Sequence, residues 1–332
     1  MPPPREFGKI VLYLLKGEVY MPGLITNYLF GERTYQSLSP NYLKDIIRKY
    51  PNAYRMGLQG PDIFFYYLSY YMRTRKNNIY NVLHKKNTGI FIDNLIEYAM
   101  ILDSDESEIC LAYISGFLCH YALDIHTHPY FRYRVEQDFL EHHERQSIPF
   151  YYRRIETLMD TLLLKRLNHM EPSQLNLEAL VCVSKKERKI ISDCLVYALR
   201  TTYHYRISRK TILKVLRSVR STCIFLQTNP LLRQQLLRVI DDRLPFTPSK
   251  ICFMYPDYEG DPEDYLNEMK NVWYKGRERL ECNESFYELL SDANVFSTQM
   301  LEALDDYLAW HGSRDHLNQV IGSMSYFTGE SC

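Results

Sequence analysis

Apolar residues recur at i, i+3 and i+4 along most of the chain, in runs of 10–20 residues separated by Pro, Gly, Asn and Ser clusters. Nowhere is there the sustained alternation of a half-buried strand. The pattern predicts helices over 23–37, 40–50, 62–73, 80–101, 106–125, 150–168, 185–204 and 208–226. Further helices are expected near 229–242, 261–275 and 284–311. The chain therefore reads as all-α, a multi-helix bundle with no internal repeat. Polar turn residues at 170–184 and a Pro- and Asp-rich stretch at 244–264 interrupt the pattern. Beyond 312 apolar anchors are few, which predicts a loosely ordered tail over 313–332.

The most apolar run ends in Gly116-Phe-Leu-Cys-His120-Tyr-Ala-Leu-Asp124-Ile-His126-Thr-His128-Pro129. Three imidazoles and a carboxylate fall within nine residues of it. On a helix His120 and Asp124 share one face a turn apart, and Gly116 lies one turn before them, where a missing side chain admits a neighbouring element. Pro129 is expected to close the helix. Histidine and carboxylate at this spacing suit a divalent ion such as zinc, although a hydrogen-bonded core pair has the same signature.

With 332 residues and 46% hydrophobic content the chain can bury a substantial core. A net charge of zero argues against a dedicated nucleic-acid binder. Eight dispersed cysteines without a Cys-x-x-Cys pair read as reduced thiols, and the chain as cytoplasmic. The Ile10–Leu15 run is too short to span a membrane, and no transmembrane segment is expected. Residues 1–20 read as an N-terminal extension before Met21-Pro22-Gly23. The 29 tyrosines, several between Tyr66 and Tyr71, suit either a core rim or a lipid interface. Six basic residues between Arg206 and Arg220 read as a solvated helix face, with transient contact to an anionic membrane surface as the alternative.

Three further groups join the His120 segment. Asp62 follows a Gly60-Pro61 turn, His84 stands near a helix start, and Glu156 and Asp160 are four apart. Taken singly, Asp62 reads as an N-cap and the Glu156/Asp160 pair as a solvated face. Together and in order, the chain resembles the bacterial zinc-dependent phospholipase C family. The likeness rests on Met-Pro-Gly-Leu-Ile-Thr-Asn-Tyr-Leu-Phe-Gly at 21–31, Gly-Leu-Gln-Gly-Pro-Asp at 57–62 and His84. It continues through Gly-Phe-Leu-Cys-His-Tyr-Ala-Leu-Asp at 116–124, His128-Pro129 and Arg-Ile-Glu at 154–156, and more weakly at 264–267, Trp273 and 283–286.

The resemblance implies a helical domain of the phospholipase C/P1 nuclease-like type over 21–205, with additional C-terminal helices over 206–312 packed on it. It also implies up to three Zn2+ ions and hydrolysis of phosphodiester or phospholipid substrates. The first site would use Asp62, His84 and His120, with Asp124 shared with a neighbouring ion. The second would use His128 and Glu156 with a histidine at the position of Tyr152. The third would place a histidine where Asn27 stands, beside Asp124. In the secreted relatives a free N-terminal residue is a further ligand, and this chain shows no processing signal to create one. Asp62 and Glu156 would be the candidate general bases. One ligand set is thus complete and two lack an imidazole. Two readings stay open: a metal-dependent phosphoric diester hydrolase with a partly degraded site, and a non-catalytic or single-zinc protein of the same fold. A His-Asp phosphohydrolase is disfavoured, since the nearest pair, Asp315-His316, runs in the wrong order.

Overall fold

The computed structural model describes residues 23–66, 79–141, 148–227, 255, 260–261, 263–276 and 278–332. The expected extension over 1–20, the helix near 229–242 and Tyr67 to Tyr71 lie outside these residues. The architecture is all-α. Helices α1 (Leu24–Ser37), α2 (Tyr42–Lys49) and α3 (Pro51–Gly57) lead to a 3-10 turn at Gly60–Phe64. Then come α4 (Ile79–Leu83), α5 (Thr88–Met100), α6 (Ser104–Glu141) and α7 (Ile148–Asn168). Short α8 (Leu177–Leu180) precedes α9 (Lys185–Tyr203) and α10 (Arg209–Leu226). After a two-stranded antiparallel hairpin, β1 (Trp273–Lys275) and β2 (Leu280–Cys282), the chain ends in α11 (Phe286–Leu308) and α12 (Arg314–Ile321).

Helix α6 is the axle. Helices α1, α2, α3, α5, α7, α9 and α11, strand β1 and the 3-10 turn all pack on it, and one core runs from Leu24 to Phe327. It is the one helix among the described residues long and apolar enough to cross a membrane, yet 94% of its most apolar window is buried inside the fold. Its 38 residues run on through Pro129, which therefore does not close the helix. Proline has no N–H for the carbonyl of Ile125 one turn back. Gly329 packs against that carbonyl so closely that a Cβ would stand 2.6 Å from the oxygen.

Several predicted boundaries shift for local reasons. The 40–50 helix ends at Lys49, because Pro51 holds Tyr50 out of the α region, and α3 begins at the proline itself. The expected 80–101 helix is two helices, broken where Asn87 adopts a left-handed conformation. The helix expected at 261–275 is absent. There Asp261 accepts from the N–H groups of Tyr265 and Leu266, and Asp264 from those of Glu268 and Met269. These short side chains capture donors that a helix would use, and the chain turns into the hairpin instead. Helices α9 and α11 start where Ser184/Glu187 and Ser285/Glu288 form capping boxes.

The tail is corrected too. Residues 314–321 are helical, with Arg314 paired to Asp93 and Glu97 at 2.7 Å, and Met324 bridges Ser331. Tyr326 and Phe327 are buried against the central helix bundle, so two aromatic anchors suffice where the apolar count was low.

Glu156 and Asp160 lie on a buried face of α7 rather than a solvated one. Asp160 caps α1 from outside. Its carboxylate accepts from Ile25 N at 3.1 Å, and from Thr26 N and Thr26 Oγ1 at 2.7 Å each. A Cβ on Gly23 would collide with it at 2.0 Å, so the helix start is glycine for this contact. Burial nevertheless pushes the Asp160 carboxyl up to about 6, against the pull of these hydrogen bonds. With its folded pKa above the unfolded value, the native state holds the extra proton, and stability falls as pH rises from about 4 to about 6. Over that window Asp160 should account for up to about 3 kcal/mol of lost stability. Urea titrations across the window are expected to show a flatter decline for Asp160→Asn; an identical slope would rule the assignment out.

Candidate metal centre

The site is assembled where α3 and α6 touch at backbone distance. A Cβ on Gly57 would lie 2.0 Å from the Tyr113 carbonyl, and one on Gly116 2.0 Å from the Tyr54 carbonyl. This contact brings the Leu58 carbonyl within 3.1 Å of His120 Nδ1. Gly60, at φ 46°, then turns the chain over the His120 ring, where a Cβ would stand 2.1 Å from Cδ2. The turn delivers Asp62 to the imidazole. From the other side α4 supplies His84, whose Nδ1 lies 2.7 Å from the Tyr80 carbonyl.

With Nδ1 donating to a carbonyl, each ring turns the lone pair of Nε2 inward. His84 Nε2 faces Asp62 Oδ1 at 3.1 Å, and His120 Nε2 faces Asp124 Oδ2 at 3.2 Å. A lone pair against a carboxylate oxygen is repulsive unless a proton or a cation lies between them. One turn further along α6, His128 Nε2 reaches the same Asp124 oxygen at 3.1 Å. Asp62, His84 and His120 offer three ligand atoms within 4.8 Å of one another, all buried.

The polar bookkeeping points the same way. Asp62 Oδ2 and Asp124 Oδ1 are buried without a partner, and His120 Nε2, His128 Nε2 and Asp124 Oδ2 meet only one another, at 3.1–3.2 Å. Orphaned acceptors are rare in native interiors, and a cation here would satisfy them. The donor set, imidazole with carboxylate, suits zinc. Asp62, His84 and His120 could thus hold a zinc ion, with Asp124 against His120.

Protonation follows from the same geometry. Burial chiefly pushes the Asp62 carboxyl up to about 8, with the Asp124 charge adding to the shift. Burial holds the His84 imidazole down at about 3, neutral and ready to ligate. His120 is raised: burial opposes its charge, but the Asp124 and Asp62 carboxylates outweigh it. Asp124 is held below the ordinary carboxylate range, because His120 and His128 together overcome the burial penalty.

The other candidate ligands are placed differently. Glu156 is buried, but its Oε2 lies 3.0 Å from the Arg153 guanidinium. Tyr152 is buried in the hydrophobic core. Asn27 is buried with neither amide atom hydrogen-bonded. His126 turns away, with Nδ1 2.8 Å from the Ala122 carbonyl and its ring against Phe296. Among the described residues, the group of three whose ligand atoms could together hold an ion is Asp62, His84 and His120.

Sequence reasoning missed the cover over these groups. Tyr326 N donates to the His84 carbonyl at 3.0 Å, and Met324 N to the Tyr121 hydroxyl at 2.9 Å. The Phe327 ring stacks on His84 at 5.0 Å and 14°, and meets His128 edge-on at 5.8 Å. Tyr326 lies 5.0 Å from His84 and 5.8 Å from His120. Nothing local marks Tyr326-Phe327 as site residues, since their partners are some 200 to 240 positions away.

Comparison with curated proteins found no match, and comparison with solved structures found none either. The sequence model of one family, zinc-dependent phospholipase C, matches residues 28–218, more than half of the chain. That span holds every candidate ligand from Asp62 to Glu156 and the α3–α6 contact that positions them. With the buried Asp62, His84 and His120 group inside it, the chain belongs to the zinc-dependent phospholipase C family.

Proposed function

We propose that this chain is a single-zinc phosphoric diester hydrolase. The observation that carries the reading is the buried Asp62–His84–His120 group, in which Asp62 Oδ2 and His120 Nε2 have no hydrogen-bond partner. Asp62, His84, His120 and Asp124 would hold the ion. Bound there, zinc would supply a Lewis acid for a phosphoryl oxygen and lower the pKa of a water. Asp62 Oδ2, the oxygen not engaged by His84, is the proton acceptor in this reading. Glu156, engaged by Arg153, acts as a charge partner rather than as the base. A phospholipid is the proposed substrate. Exposed Met269, Val272 and Leu280 beside the β1–β2 hairpin support contact with a lipid surface.

The test is turnover of a chromogenic phosphodiester by the zinc-loaded chain. Hydrolysis should stop on chelation and return on adding zinc, with about one ion per chain by elemental analysis. Zinc-loaded protein without turnover on either a chromogenic diester or phospholipid vesicles would leave the second reading, a non-catalytic single-zinc protein. Asn27 and Tyr152, standing where imidazoles are expected, favour that alternative.

A further inference from the structure

Residues 323–332 form a small body of their own. Ser325 N donates to the Glu330 carbonyl at 2.8 Å, Gly329 N to that of Ser325 at 2.9 Å and Cys332 N to that of Ser323 at 2.9 Å. The segment leaves α12 at Gly322, whose φ of 65° and ψ of −167° lie in a region that essentially only glycine enters. Nothing stands within 4 Å of where a Cβ on Gly322 would be. A glycine joint beside open space, followed by a self-bonded loop, has the build of a hinged flap. Next to the joint, Ser323 Oγ accepts from Gly89 N at 3.2 Å, and Cys332 Sγ meets Thr88 Oγ1 at 3.7 Å. Further out, Ser325 Oγ and Tyr326 N donate to the His84 carbonyl, and Met324 N to the Tyr121 hydroxyl. The Phe327 ring stacks on His84, meets His128 edge-on and carries Lys85 Nζ over it at 5.1 Å. Phe327 also lines, with Pro129, Arg132 and Tyr274, a cleft of about 60 Å³. One ring thus touches both that cleft and two imidazoles of the site, as a stopper would.

We propose that residues 323–332 are an autoinhibitory flap, hinged at Gly322, whose Phe327 ring keeps a phosphoester out of the metal centre. What the flap excludes rests on the hydrolase reading above; that it shields the imidazoles does not. Asp62, His84, His120 and Asp124 are buried, so a substrate has no access to them while the flap is down. Lifting the flap as one body breaks few bonds, because its internal hydrogen bonds travel with it.

The experiment labels histidines with diethyl pyrocarbonate in the metal-free full chain and maps the modified positions by mass spectrometry, with circular dichroism to follow folding. In Phe327→Ala, His84 and His128 should react roughly tenfold or more faster than in the wild type, because the closed state no longer shields them. Cys194, buried between α9 and α5, should stay closed to a thiol reagent, which separates flap opening from global unfolding. If Phe327→Ala exposes Cys194 as well, deletion of 323–332 is read in its place and should give the same histidine pattern. Unchanged labelling of His84 and His128 in a folded variant overturns the proposal. Loss of the fold on deletion overturns it too, since the segment would then belong to the core. With zinc restored, diester turnover should rise in the open variant, and turnover equal to the wild type's overturns the barring role. Faster labelling with no hydrolysis by either form leaves the flap standing and fails the hydrolase reading.

Discussion

Replacing His120 by alanine is expected to weaken zinc binding by about two to three orders of magnitude. Structural zinc sites bind with apparent free energies of about 10–16 kcal/mol over four ligands, so one ligand carries about 3–4 kcal/mol. That share corresponds to a loss on the order of 100- to 1,000-fold in affinity. His120 should lie at the upper end, since its Nε2 stands next to Asp124 while its Nδ1 is already fixed by Leu58. Competition against a zinc chelator checks this. A variant with wild-type zinc affinity would place the ion elsewhere and sink the assignment of the first site.

Gly116→Val is expected to prevent native folding or to cost more than about 4 kcal/mol, a large fraction of a domain's stability. The cause is geometric. A Cβ at 116 would stand 2.0 Å from the Tyr54 carbonyl and 2.8 Å from Leu58 N, and both are backbone atoms that no rotamer change can move aside. Relief requires α3 and α6 to separate, which would open the core around Tyr54, Tyr113 and Phe117 and draw Leu58 O away from His120. Urea unfolding and near-UV circular dichroism report the outcome. A soluble, cooperatively folded Gly116→Val protein with an unshifted midpoint would show that the helices are not in backbone contact.

Much of this was legible in the sequence, and the reasons differ by element. Helical periodicity found most of the bundle because its helices bury one face each. The spacing of His120, Asp124 and His128 showed one shared helix face, and Gly116 showed the close approach. Pro129 misled, because a proline inside a long helix is tolerated when a neighbouring segment packs against the vacated carbonyl, and that segment lies 200 residues away. Asp261 and Asp264 misled because their donors come from only four or five residues ahead, which helical periodicity does not register. The Glu156/Asp160 pair read as surface, since nothing in α7 alone announces that one carboxylate caps α1 and the other holds Arg153.

The seating of Phe327 on His84 and of Gly329 on the Ile125 carbonyl also bears on time rather than on affinity. Every ligand of the first set is at most 1% exposed, so an ion or substrate reaches it only when part of the covering structure lifts. Local openings of this kind cost less than global unfolding and have their own rates. For an ion held there, the bonds from the backbone N–H groups of Met324 and Tyr326 to Tyr121 and His84 would act as a latch, setting how long it stays independently of how tightly its ligands hold it.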